Sequence, residues 1–320
     1  MQILRRDFLE PDRREVQEKA LRAVETNAHK HIESYIKDDR SYNGRYVASD
    51  LFKETFEAYR ASNESRNRYN AAVHNSAAVL STIQFMRLLE DRSEAHRDTV
   101  LFLTGIPGAG KTSSVVVQDK LPDNIKAIFE GQLSKPESAI SKIQATLDAG
   151  LLPAISVVHA MPEDALRNTL KRFNEIGRGA SIEVMADIQG NLPDGLEVIH
   201  KKFGDNVQLR IYDVRDRSNQ VRINGWNNLD ILRSEGNHVL IKERLNTEIE
   251  FLKAEGRINE HAYRQAVGLP PISREYRPMD RQLAGINESD EQRRKLQEGD
   301  SKKVIVSADA KVQKDRDFER

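Results

Sequence analysis

The chain has 320 residues, enough for one large domain or two small ones. Lys+Arg and Asp+Glu each total 50, so no cationic excess marks a non-specific nucleic-acid binder, and the absence of cysteine excludes disulfides and thiolate metal sites. No segment approaches the ~18–20 apolar residues of a membrane-spanning helix, and the opening MQILRRDFLEPDRREV lacks the apolar run of a signal peptide, so a soluble protein with a cytoplasmic location and no membrane partner is expected.

Residues 12–38 read as a helix, with Val16, Ala20, Ala23, Val24, Ala28, Ile32 and Tyr35 near 3.6-residue spacing and mixed charge between them. Such a helix packs on its own domain or serves docking or regulation. Asn43-Gly44 marks a turn, and Tyr46-Val47-Ala48 a short strand. Asp50 follows, either as a helix cap together with Ser49 or as a carboxylate at the C-terminal end of a strand, where doubly wound sheets place their chemistry. Residues 52–92 are helical. Within them His74, Asn75 and Ser76 form a compact polar cluster, read either as a capped helix start or as part of a site.

Thr99–Gln118 is the central stretch. The buried-strand run Val100-Leu101-Phe102-Leu103 leads into Gly105-Ile106-Pro107-Gly108-Ala109-Gly110-Lys111-Thr112, which fits G-x-x-x-x-G-K-[ST] between a strand and a helix. Glycines let backbone amides curl around phosphate oxygens, and the helix that begins near Ser113 points its N-terminus at the same anion. Lys111 reaches the β- and γ-phosphates and the Thr112 hydroxyl ligates Mg²⁺. ATP or GTP with Mg²⁺ is therefore the expected ligand.

Further strands are expected at 125–129, 153–159 and 207–213. Helices are expected at 136–149, at 162–176, from 181 to about Gln189, and at 193–203. This alternation implies an α/β fold with a doubly wound parallel sheet. Residues 230–267 look helical, and from 269 onward the chain reads as a charged, flexible tail. Arg172 and Arg178 stand six residues apart across the break at Gly177. They are either surface salt bridges or a lid whose guanidinium groups stabilise a transferring phosphoryl group. With no convincing Walker B strand and little room for the insertions of a motor, a small-molecule kinase is favoured over a switch or a motor.

The order of these elements resembles the bacterial zeta toxins, P-loop kinases of toxin–antitoxin systems that phosphorylate UDP-N-acetylglucosamine. The matching pieces are the strand ending Glu130-Gly131-Gln132 (the family often has Thr for Gln132), Lys171-Arg172-Phe173, Arg178-Gly179-Ala180-Ser181, and Asn191 to Lys201 leading to Leu209-Arg210-Ile211-Tyr212-Asp213. The family's catalytic aspartate lies between the P-loop helix and the Glu-Gly strand, where this chain has too few residues for another strand and its crossover. Upstream, Asp50-Leu51-Phe52-Lys53-Glu54-Thr55-Phe56-Glu57-Ala58-Tyr59 matches the motif D-x-F-[KR]-x-x-x-P-x-[FY] except for Glu57 in place of Pro. A rearranged kinase is implied, with the aspartate strand moved ahead of the P-loop strand.

The resemblance implies a domain over 41–268 between a helical extension, 1–40, and the tail, 269–320. It implies Asp50 as general base, Arg172 and Arg178 on the phosphates, and Glu130, Gln132, His74, Asn75 and Ser76 on the acceptor. It also implies a nucleotide-sugar acceptor and an antitoxin partner. The alternatives are a kinase of a nucleoside or an antibiotic, and a non-catalytic P-loop protein that uses ATP to control docking.

Overall fold

In the computed structural model of this chain, residues 3–117 and 122–269 are described, and all of them belong to one compact unit spanning residues 1–276. The tail expected beyond Leu269 and the end of the P-loop helix at 118–121 lie outside the described residues. In chain order the elements begin with α1 (Pro11–Ile36), β1 (Tyr46–Ala48), the short helices α2 (Ser49–Phe52) and α3 (Glu57–Arg60), and the long α4 (Asn63–Glu90). Then come β2 (Thr99–Thr104), β3 (Ile125–Glu130), α5 (Pro136–Asp148), β4 (Leu152–His159), α6 (Pro162–Ile176), α7 (Ile182–Phe203) and β5 (Gln208–Asp213). β6 (Val221–Asn224), α8 (His238–Ala254) and α9 (Glu260–Ala266) complete the order.

The strands form one sheet in the order β1-β3-β2-β4-β5-β6. The first five are parallel, and only β6 runs antiparallel, as a hairpin partner of β5. β2 is buried throughout and sits between β3 and β4, the position that an unbroken Val-Leu-Phe-Leu run predicts. This is the expected α/β fold with a doubly wound, mostly parallel sheet. β1 takes the edge beside β3, with Tyr46 level with Ile128 and Ala48 level with Glu130. The C-terminal ends of β1, β3 and β2 therefore open on the same side.

α1 contributes Leu21, Val24, Ile32 and Tyr35 to the same buried core as the sheet. The Tyr35 hydroxyl donates to the Tyr46 carbonyl and accepts the Ala48 amide at 3.1 Å, so a side chain satisfies the outer backbone groups of the edge strand. The turn before β1 holds Tyr42, Asn43 and Gly44 at positive φ, as Asn-Gly predicts.

Three local expectations need correction. α7 is one helix through Pro193, not two. Met185, Ile188, Leu192, Leu196 and Ile199 form one continuous buried stripe, and burying it outweighs the hydrogen bond the proline removes. His74, Asn75 and Ser76 lie in the middle of α4 rather than at its start. The segment after the P-loop is wound as a π-helix over Thr112–Val117.

Candidate active site

The P-loop hangs from β2 and is braced by α6. Asn168 donates to the Gly108 carbonyl at 2.8 Å, and the Thr169 hydroxyl donates to the Pro107 carbonyl at 3.3 Å. Gly108 sits at φ +85°, and a Cβ there would run into the Ala165 carbonyl, so the close approach of α6 requires glycine. Gly110, also at positive φ, continues a backbone of the kind that cradles anions. The Lys111 ammonium lies folded over the loop, donating to the Gly105 carbonyl at 3.1 Å and pairing with Glu130 at 3.3 Å. Tyr46 donates to the other oxygen of Glu130, and its hydroxyl stands 3.2 Å from the Thr112 hydroxyl. The ends of β1 and β3 thus converge on Lys111 and Thr112, the last two residues of the P-loop motif.

Asp50 enters from β1. It caps nothing: Ala48 holds the cap position, and Ser49 instead meets Ser81. The Asp50 carboxylate pairs with Lys53 at 2.7 Å and with Arg178 at 3.0 Å. Its side chain is 57% exposed, but into a cleft whose walls surround it. Withdrawal from bulk water pushes the carboxyl up; the charges of Lys53 and Arg178 outweigh that and hold it far below the usual carboxylate range. Lys53 is itself buried, 3% exposed, and is completed by the Asn70 carbonyl oxygen at 2.7 Å.

Arg178 reaches Asp50 because Gly177 ends α6 in the left-handed region and turns the chain back. Arg172, one turn before that break, lines the same cleft and forms no ion pair or hydrogen bond among the described residues. Burial and the neighbouring charge of Arg178 lower its pKa. Two guanidinium groups beside one carboxylate leave a surplus of positive charge next to the P-loop, which suits an anion.

The cleft holds about 610 Å³. Asp50, Gln132, Thr169, Arg172, Arg178 and Pro107 of the P-loop line part of it. Arg6, Arg13, Asn67, Arg68 and His74 line the remainder, with Gln265 of α9 lying over Gly179. Burial and the charge of Lys53 lower the His74 pKa to about 4, so it is neutral at pH 7. Of the residues expected from sequence, Asp50, Arg172, Arg178, Gln132 and His74 share this cleft, and Glu130 joins Lys111 and Thr112 at its neighbour, the P-loop mouth. Asn75 and Ser76 do not line the cleft. Asn75 donates to the Leu4 carbonyl at 2.7 Å, and Ser76 is buried in α4. The arginines do not form the surface salt bridges of the alternative reading, since Arg178 is 15% exposed and pairs with Asp50. Asp213 is engaged by Arg215 at 2.6 Å.

Sequence reasoning passed over Tyr46, Lys53, Asn70 and Gln265. Lys53 lies inside the motif that singled out Asp50, and Asn70 precedes His74 by one helical turn, the spacing that places both on one face. Tyr46 and Gln265 reach the site by non-local packing that leaves no local pattern.

No family model and no curated protein matches the chain. Among solved structures it is similar to a chain from the PezAT chromosomal toxin–antitoxin system of the human pathogen Streptococcus pneumoniae, at 14% identity and a TM-score of 0.40, covering 78% of this chain and 98% of that one. Among the described residues no helix is long and apolar enough to cross a membrane.

Proposed function

We propose that this chain is an ATP-dependent small-molecule kinase of the zeta-toxin type, moving the γ-phosphoryl group to a hydroxyl of a nucleotide sugar such as UDP-N-acetylglucosamine. On this reading the kinase domain spans 41–268, with Asp50 brought from a strand ahead of the P-loop, and an antitoxin is its protein partner. The observation that carries it is the meeting of Asp50, Arg172 and Arg178 in one cleft that Pro107 of the P-loop also lines. A nucleotide-binding switch has no use for a paired carboxylate and two arginines facing an open cavity of this size.

Each residue has a task that its surroundings permit. The backbone from Gly105 to Ser113, with Lys111, binds the phosphates. The oxygen donors at the P-loop mouth fit Mg²⁺, which favours hard oxygen ligands and takes few from the protein; Thr112 would hold it. When bound, the cation neutralises charge on the β- and γ-phosphate oxygens. Arg172 and Arg178 clamp the same groups. Asp50 accepts the proton of the acceptor hydroxyl as that oxygen attacks phosphorus and the bond to the ADP oxygen breaks. The resting Asp50–Arg178 pair makes the carboxylate a weak base. Phosphate in the cleft competes for Arg178, and Asp50 becomes more basic when substrate is present. Glu130, Gln132 and His74 face the acceptor.

Incubation with γ-labelled ATP and a panel of nucleotide sugars, nucleosides and aminoglycosides, scored by mass spectrometry, tests the reading. A singly phosphorylated nucleotide sugar is the expected product, and a nucleoside or antibiotic product would move the acceptor class. Asp50→Ala should abolish turnover and leave ATP binding intact. Nucleotide-dependent partner binding with no phosphorylated metabolite would replace the kinase reading by the docking one.

A further inference from the structure

Tyr46 lies on β1, four residues before Asp50, with its ring buried to 5% exposure. Its hydroxyl emerges between Glu130 and Thr112. A phenol has one proton to give. The Glu130 carboxylate, paired with Lys111, offers acceptor atoms only, so the Tyr46 proton goes there. In the 3.2 Å contact with Thr112, the threonine hydroxyl is then the donor and the Tyr46 oxygen the acceptor. A hydroxyl that ligates a cation through a lone pair must point its O–H bond away from the cation, and the Tyr46 oxygen is the acceptor toward which the Thr112 O–H points.

We propose that Tyr46 is a positioning residue of the nucleotide–metal site: by accepting the hydrogen bond of the Thr112 hydroxyl and donating its own to Glu130, it leaves the Thr112 lone pairs to the cation. Groups that orient a metal ligand in this way normally set the ligand's usefulness. Tyr46 is itself held firmly. Its carbonyl accepts from Tyr35, and Tyr35 stacks on Phe52 with ring centroids 3.6 Å apart. One side chain thereby links the strand that delivers Asp50 to the loop that delivers Lys111. The inference rests on the kinase reading only in requiring that the P-loop bind a magnesium nucleotide.

The test is Tyr46→Phe, which keeps the ring and removes the hydroxyl. Binding of a fluorescent ATP analogue is measured with saturating Mg²⁺ and again in EDTA, and Mn²⁺ in the nucleotide complex is followed by electron paramagnetic resonance. A positioning role predicts about tenfold weaker binding with the cation and less than about twofold change without it, the scale seen when a ligand's hydrogen-bond partner is lost. Thr112→Ala should show the same cation-specific loss, and adding Tyr46→Phe to it should cost nothing more. Equal losses with and without cation, tighter binding by Tyr46→Phe, or additive losses in the double variant would each overturn the proposal. Tighter binding would mean that Tyr46 plugs the empty site. Melting curves check that the variants are folded. If the wild type bound no magnesium nucleotide, the kinase reading would fall and this proposal with it; an unchanged Tyr46→Phe would remove this proposal alone.

Discussion

Asp50 is a carboxylate between two cations, Lys53 at 2.7 Å and Arg178 at 3.0 Å. Both cations favour its charged form, so its folded pKa lies below the unfolded value of about 4. Stability from the pair is therefore complete above the unfolded pKa and is lost as pH falls through the folded one. Arg178→Ala removes one of the two cations and lets the carboxyl rise. The acid limb of the kcat/KM profile should then move to higher pH, and kcat should drop about 100-fold, as when one pre-organised donor to a transition-state anion is deleted. The melting-temperature gap between Arg178→Ala and wild type should be widest near neutrality and close in strong acid. A pH profile that keeps its acid limb in place would separate Arg178 from the carboxylate it touches. Lys53 explains why sequence reading found only half of this arrangement. A lysine in a charged stretch reads as solvated, whereas here it is 3% exposed and satisfied by Asp50 and Asn70, which the chain brings from 17 residues away.

The elements that deliver these groups differ in how plainly the sequence announces them. The P-loop is legible because strand, glycines, lysine and threonine are contiguous, and the parallel sheet is legible because its strands are short apolar runs between amphipathic helices. β1 has three residues, too few for a period, and only its pairing with β3 makes it a strand. β6 was not expected, because three of its four residues are exposed and it exists as a partner of β5. α7 defied its proline because tertiary burial decided the outcome. The break after α6 was legible from Gly177, and its purpose lies in what it approaches. A Cβ at Gly177 would overlap the Asn63 backbone at the start of α4, and its φ is +72°. Gly177→Ala should cost more than about 1–2 kcal/mol from the left-handed conformation alone. The overlap should also push the Arg178 segment off Asp50. Turnover should fall while ATP affinity holds, since the P-loop is braced by Asn168 and Thr169, two turns back along α6. A parallel loss of ATP binding would mean that the helix moves as a whole.

At the scale of the molecule, the half-buried His74 and the buried His159 add a pH response in stability. Burial lowers both pKa values to about 4: His74, where the charge of Lys53 adds to the effect, and His159 at the end of β4, where that of Arg215 does. The unfolded chain binds these protons near pH 6.5 and the folded chain does not, so stability rises with pH between those values and is lost as pH falls. Each site contributes a slope of up to about 1.4 kcal/mol per pH unit. Urea unfolding at pH 7, 6 and 5 should show the decline, and His159→Gln should make it shallower. α1 belongs to the same whole. Leu21, Val24, Ile32 and Tyr35 are buried in the common core, and Tyr35 holds the edge strand that carries Tyr46 and leads to Asp50. Burying four such side chains is worth about 6–12 kcal/mol at the usual 1.5–3 each, comparable to the entire net stability of a domain. Deleting residues 1–36 should therefore yield an aggregated or unfolded chain by circular dichroism and gel filtration, with no gain in activity. A soluble, folded truncation that turns over faster than the full chain would instead make α1 a removable cover over the cleft that Arg6 and Arg13 line. The hydrogen bonds between Tyr35 and β1 argue against that outcome, because a cover that must leave cannot also be what holds the strand leading to Asp50 in register.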